Sequence, residues 1–366
     1  MYTQMILGAI AGLSLFLYGM QLMGDGLQKV AGEGLKGIIR RLTKNRLMSV
    51  LVGMFVTTII QSSSATTVMV VGFVNAGLMT LAQAVGVVFG ANIGTTITGQ
   101  MVSFNLSQWA PIVIAAGLVA NMLTKNPKVK EASEIFIGFG ILFIGMSTLS
   151  NSLEPLKELP EFTNWILQYG SNPFIGVGIG LLMTLVLQSS SATIGVLIAL
   201  ASQGVLPITT AVFIIFGDNI GTCTTALISS LGTSRRGKQV ALFHLMINII
   251  GTIYFMLSLR GILVNVVESI DPGNVARQIA NAHTMFNIVN VIVLFPFTNL
   301  LVKLIQVIIP DSEDEEESIT RYLDKRILVT PSIALENTMY EFAAMAQETI
   351  QALDNAVGAA RNRDKK

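Results

Sequence analysis

The string Gln61-Ser62-Ser63-Ser64-Ala65-Thr66 returns later in the chain as Gln188-Ser189-Ser190-Ser191-Ala192-Thr193. Three hydroxyls behind a glutamine concentrate neutral oxygens and O–H donors at one point. Hydroxyls both donate and accept, so such a cluster can ligate a hard cation and can also donate to an oxyanion. Serine is a good N-cap, and the free N–H groups and positive end of a helix it starts would face the same point. Each string is followed by a second shared motif, Phe89-Gly90-x-Asn92-Ile93-Gly94-Thr95 and Phe216-Gly217-x-Asn219-Ile220-Gly221-Thr222. If its glycines interrupt a helix, it adds carbonyls and the side chains of Asn92, Thr95, Thr98, Asn219, Thr222 and Thr225.

The elements that hold these groups must lie in a membrane. Of 366 residues, 52% are apolar and 12% charged, and mean hydropathy is +0.65; soluble domains carry roughly 25% charged residues. Net charge is +1, so no bulk field points to nucleic acid. The single cysteine, Cys223, excludes an internal disulfide. The first apolar run, from Met5, has no basic residue before it and reads as a retained span rather than a cleaved signal.

Shifted by 127 residues, Gly53–Thr98 aligns with Gly180–Thr225 without a gap, with 18 of 46 positions identical. Upstream, Gly19-Met20 faces Gly145-Met146. The chain is therefore duplicated. The apolar arms Met48–Ile60 and Ala65–Ala76 are too short to cross ~30 Å of hydrocarbon, as are Gly176–Leu187 and Ala192–Ala201. Each pair reads as a re-entrant helical hairpin with the serines at its tip. Thr80–Ser103 and Val205–Leu231 read as full spans broken at the Asn-Ile-Gly-Thr motifs, tolerable where backbone lines a cavity.

The expected fold is an all-α polytopic membrane protein. Residues 1–126 form a first repeat and 127–258 a second; 259–310 add a transmembrane segment, and 311–366 an acidic linker and amphipathic helix. Met5–Met23, Thr80–Ser103 and Trp109–Leu123 make three crossings in the first repeat, so the second, opening with Glu134–Ser150, is expected inverted. Its last span is Val240–Leu257, and the added segment runs over Ile279–Ile309. Loops on one side would carry twelve basic residues (24–47, 124–133 and 232–238) against three on the other (Lys157, Arg260, Arg277). By the positive-inside rule the N-terminus is outside and the tail cytoplasmic, in a plasma membrane. In the tail, Asp311–Ser318 is acidic, and Ile333, Met339, Phe342, Met345, Ile350 and Leu353 form one apolar face.

Hairpins and broken helices meeting at the midplane are the common build of a secondary-transporter site. Asp218, whose counterpart is Ala91, is a candidate holder of a cation or proton; otherwise it caps a helix at the water. His244 and His283, both in His-x-Met-x-Asn, are expected mainly as buried hydrogen-bonding groups and make a weak metal signal. With no Lys or Arg inside the spans of the two repeats, apart from Arg260 at an expected end, an anion's charge must be met by bound cations and helix dipoles. A serine hydrolase needs a histidine beside a serine, and no histidine lies in either repeated core. A channel or sensor remains a further class.

The paired strings and breaks resemble the type II sodium–phosphate cotransporters, in their bacterial branch, over roughly residues 5–310. The resemblance implies sodium-driven import of inorganic phosphate by alternating access, with no other cofactor, in contact with lipid; the sequence permits a homo-oligomer. It implies a sodium site at Gln188, Ser189, Ser190, Thr222 and Thr225, with Gln61, Ser62, Ser63, Thr95 and Thr98 candidates for a second cation or for phosphate. Phosphate is expected at Ser63, Ser64, Thr66, Asn92, Ser190, Ser191, Thr193 and Asn219. Proton coupling or another oxyanion, such as sulfate or arsenate, is the alternative. The tail resembles the opening helix of a PhoU-like bundle.

Overall fold

The computed structural model describes residues 2–31, 45–162, 172–310 and 331–362, with Asn164, Gly170 and Leu323. Among the described residues every regular element is helical. The first half runs α1 (Tyr2–Ala31), α2 (Arg46–Ile60), α3 (Ser63–Asn75), α4 (Leu81–Gly94), α5 (Thr96–Ser103) and α6 (Ala110–Leu123). The second runs α7 (Pro127–Leu153), α8 (Pro173–Leu187), α9 (Ser190–Ser202), α10 (Ile208–Ser230) and α11 (Arg235–Tyr254). After it come α12 (Arg260–Ile270), α13 (Val275–Leu294), α14 (Thr298–Ile308) and α15 (Pro331–Asn362). Six described stretches are long and apolar enough to cross a membrane: Tyr2–Ala31, Leu81–Ser103, Pro127–Glu158, Ile208–Ser230, Arg235–Ile270 and Val275–Ile308. The protein is an all-α, multi-pass membrane protein, and outward side chains such as Met122 and Val186, 82% and 81% exposed, suit lipid.

The helix starts carry their own signals. Thr80 and Gln83 form a reciprocal capping box on α4, while Asn126-Pro127 and Asn172-Pro173 place an Asn cap before an N1 proline on α7 and α8.

Without a hydrophobic force between helices in lipid, close backbone approach must hold them, and small residues permit it. Repeat mates α1 and α7 pack antiparallel along such a seam. A Cβ on Gly12 would lie 2.3 Å from the Leu149 nitrogen, and one on Gly19 2.3 Å from that of Leu142. The matching glycines of α7 do the same in reverse, Gly138 against Met23 and Gly145 against Phe16. At one end Lys29 pairs with Glu134 at 2.6 Å.

Each hairpin packs on the span that follows it through the same device. A Cβ on Gly53 would sit 2.1 Å from the Val87 carbonyl oxygen, and one on Gly180 1.9 Å from that of Ile214. These glycines explain where the expected helix breaks fail. The first span is interrupted only at Thr95, which keeps helical angles (φ −64°, ψ −23°), and the second, α10, is continuous through Asn219-Ile220-Gly221-Thr222. Gly94 and Gly221 serve close contact with Met54 and Thr57, and with Leu181 and Thr184, rather than unwinding. The expected free carbonyls are accordingly absent from α10.

Three further expectations change. The span placed at Val240–Leu257 runs from Arg235 to Ile270 through a π-helical stretch, Phe255–Leu259, so Arg260 lies within a helix. Between Leu257 and Ile270 only Gly261 weakens the helix, and Pro272-Gly273 stands beyond its end. Trp109–Leu123 becomes the 14-residue α6, about 21 Å long at 1.5 Å per residue, shorter than ~30 Å of hydrocarbon, yet the chain beyond it reaches Glu134 beside Lys29, on the side where α1 ends. In the tail, α15 forms, but Met339, Phe342, Met345, Ile350 and Leu353 are exposed, and Asn337 and Glu341 are buried instead. The helix meets the body through the stripe Ala334, Asn337 and Glu341, which leaves the apolar stripe uncovered. The acidic stretch Asp311–Ser318, the basic residues Lys36, Arg40, Arg41 and Lys44, and the Ile333 side chain lie outside the described residues.

Candidate functional site

The two strings fold identically. The incoming helix ends on a glutamine in the left-handed region, Gln61 at φ 59° and Gln188 at φ 52°. The next residue is an extended serine that caps the outgoing helix: Ser62 Oγ accepts from the Ala65 N–H at 3.1 Å, and Ser189 Oγ from that of Ala192 at 3.2 Å. Two residues therefore reverse the chain, and both outgoing helices present their N-termini at the tips.

A non-glycine residue at positive φ costs about 1–2 kcal/mol, and each glutamine is held by three groups. Its backbone N–H donates to Thr57 O at 2.7 Å or Thr184 O at 2.8 Å. Its side-chain amide donates to Thr58 O or Leu185 O, and its side-chain oxygen accepts from Thr98 at 2.6 Å or Thr225 at 3.0 Å. Thr98 and Thr225 thus fasten each tip to its neighbouring span.

The tips approach one another around a cavity of about 230 Å³. Its walls are Gln61–Ser64, Gln188–Ser191, Thr95, Ile60 and one turn of α1: Met20, Gln21, Gly24 and Asp25. Thr95 Oγ1 lies 3.3 Å from Ser190 Oγ, a direct contact between halves. No basic residue lines the cavity, and Asp25 is its one charged wall residue among those described.

Of the residues expected at the site, the glutamines, the six tip serines and Thr95 line this cavity. The others do not. Asn92 is buried in a separate network, donating to Asn248 Oδ1 at 3.1 Å and meeting His244 Nε2 at 2.9 Å through its own oxygen. Asn219 donates to Ile215 O and Thr222 to Asp218 O, both within α10. Thr66 and Thr193 lie one layer below the tips, paired with Thr57 at 3.0 Å and Thr184 at 2.9 Å. Asp218 sits mid-helix and wholly buried, accepting from Thr184, and caps nothing. His244 is the expected buried hydrogen-bonding histidine, whereas both ring nitrogens of His283 lack a partner among the described residues.

Asp25 and Gln21 carried no sequence signal beyond the faint upstream match at Gly19-Met20, because Gly24 reads as the start of a loop. The helix instead continues to Ala31. The α7 mates of this turn, Met146, Ser147, Ser150 and Asn151, line a second cavity of about 610 Å³ with Asn105, Gln203 and Asn274, and no tip residue reaches it.

A family model described as Na+/Pi-cotransporter matches this chain twice, over residues 15–151 and 152–270. The chain is 30% identical over 295 residues to the uncharacterized protein YqeW of Bacillus subtilis, covering 81% of this chain and 95% of the relative. It is 23% identical over 337 residues to the putative inorganic phosphate export protein YjbB of Escherichia coli, covering 92% of this chain and 62% of that one. A 23% identity also links it to the rat sodium-dependent phosphate transport protein 2A, over 65% of this chain and 58% of the relative. No solved structure matches.

Proposed function

The chain belongs to the Na+/Pi-cotransporter family, and from that membership we propose that it is a sodium-coupled secondary transporter that imports inorganic phosphate. As a member of a transporter family it is not an enzyme. The observation that carries the finer reading is the cavity between the two tips, which offers six serine hydroxyls and two helix N-termini but, among the described residues, no basic side chain.

Magnitudes decide why a cation must come with the anion. A helix N-terminus is worth about 0.3–1 kcal/mol to a charge, at best about 2, against an effective penalty of several kcal/mol for an ion withdrawn from water. Two N-termini fall short of a phosphate's requirement. Sodium bound among the same hydroxyls supplies the missing charge, which makes binding of the two ions interdependent.

Serines 63, 64, 190 and 191 are assigned to phosphate, and Ser62 and Ser189 with Thr95 to sodium. The glutamines shape the tips. Thr222 and Thr225, like Asn92, Asn219, Thr66 and Thr193, act from behind the wall. The antiparallel run of the mates α1 and α7 supports inverted repeats, 1–126 and 127–258, followed by 259–310. The basic loops support a plasma-membrane protein with its N-terminus outside. With this orientation the cavity lies near the cytoplasmic end of α1, and the second cavity near the opposite face. Alternating access then exchanges which vestibule reaches the tips.

Initial rates of radiolabelled phosphate uptake into proteoliposomes, with and without an inward sodium gradient, test the reading. Uptake that accumulates only with the gradient, and reverses when the gradient is reversed, is expected. Equal uptake in both conditions would remove the coupling.

A further inference from the structure

The layer beneath the second tip contains more oxygen than hydrogen. Thr184 Oγ1 lies 2.9 Å from Gly180 O, 2.9 Å from Thr193 Oγ1 and 2.5 Å from Asp218 Oδ1. An ionised cluster of Gly180 O, two threonine hydroxyls and the two carboxylate oxygens shares only two hydroxyl hydrogens. Thr184 can satisfy one oxygen of the three around it. Thr193 has Thr184, Asp218 and, at 3.4 Å, Ser189 O to choose among. Asp218 Oδ2 has no partner among the described residues, and Asp218, Thr193 and Thr184 are 0%, 0% and 2% exposed.

The first repeat supplies the contrast. There Thr57 donates to Thr66 at 3.0 Å, Thr66 donates to Ser62 O at 3.0 Å, and Ala91 stands where the carboxylate would be. That chain of bonds is complete.

A buried carboxylate is retained where it is paired, takes up a proton or coordinates a cation. Among the described residues no Lys, Arg or His pairs with Asp218. Neutral and anionic oxygens gathered around a carboxylate are the donor set of a hard monovalent cation. We propose that Asp218, Thr184, Thr193 and the Gly180 carbonyl form a sodium site one layer beneath the second tip, separate from the ligands in the cavity wall. The Thr193 contact to Ser189 O joins this layer to the N-cap of the tip, so filling it couples to the shape of the phosphate cavity. The identity of the cation rests on the sodium-coupled reading; the site itself rests on the oxygen excess.

Binding of radioactive sodium to the purified full chain, and the sodium dependence of phosphate uptake, are to be measured for the wild type, Asp218→Asn and Thr193→Val. Both variants are expected to need about tenfold more sodium for half-maximal uptake or worse, as loss of an anionic or oxygen ligand weakens a hard-cation site, and to bind fewer sodium ions per chain. Thr193→Val keeps the carboxylate and the volume, so it reads the site if Asp218→Asn does not fold. An unchanged sodium titration in a folded variant overturns the proposal. So does loss of pH dependence in Asp218→Asn with sodium binding intact, which would make the group a proton carrier. If wild-type uptake ignores sodium while sodium binding still falls in the variants, the transport reading fails and the site stands.

Discussion

The two hairpins share tip, cap and glutamine lock, yet they differ in what lies behind the tip. The first closes its hydrogen bonds among Thr57, Thr66 and Ser62. The second places Asp218 against Thr184 and leaves a carboxylate oxygen open. The tips also differ in exposure, with Gln61 buried and Gln188 exposed. Duplication thus preserved the geometry that presents hydroxyls and N-termini, while the supporting layers diverged into one with its hydrogen bonds closed and one with an unmatched carboxylate oxygen among the described residues.

The largest effect should erase what the hairpins share. In Gly53→Val and Gly180→Val the first side-chain atom alone would fall 2.1 and 1.9 Å from a backbone oxygen. Each should cost about 4 kcal/mol or more, the range of severe overpacking, and yield no monodisperse protein on size-exclusion chromatography. Next, Ala91→Asp should turn the first layer into a copy of the second. A buried charge left unpaired costs about 3–5 kcal/mol, so its melting temperature should drop sharply in choline and recover partly in sodium. Equal melting in the two salts would break the comparison.

A smaller effect tests the exposure difference. Thr98→Val removes the donor to the buried Gln61 oxygen and should cost about 1–3 kcal/mol. Thr225→Val, at the exposed Gln188, should stay within about 0.5 kcal/mol, both read as detergent melting curves. The smallest effect should be symmetrical: Ser62→Ala and Ser189→Ala each remove one N-cap, worth about 1 kcal/mol. A difference between these two larger than that value would show that the tips are not equivalent.

Much of this was legible in the sequence because the strings encode local geometry. Arm lengths and cap preferences located both hairpins, with α2, α3, α8 and α9 starting and ending within a few residues of their expected limits. The Asn-Ile-Gly-Thr motifs read as breaks because a glycine that allows close approach and one that allows unwinding look alike before the neighbour is known. Asp25 is not legible in the sequence because Gly24 resembles the end of a helix, and only the tip of the first hairpin shows that Gly24 makes room, its Cβ position 3.3 Å from Ile60 O. The tail's apolar stripe was found, but which stripe docks depends on a surface no local pattern describes.

The glycine seam between α1 and α7 carries a historical consequence. Gly12 and Gly19 meet α7 as Gly138 and Gly145 meet α1, which is the self-complementary pattern of an isologous interface. Two separate half-length chains inserted in opposite senses could have met along this line before a gene fusion joined them. The seam would then be older than the loop that now connects its halves, and the asymmetry at Asp218 would become available only once one copy could change without its twin.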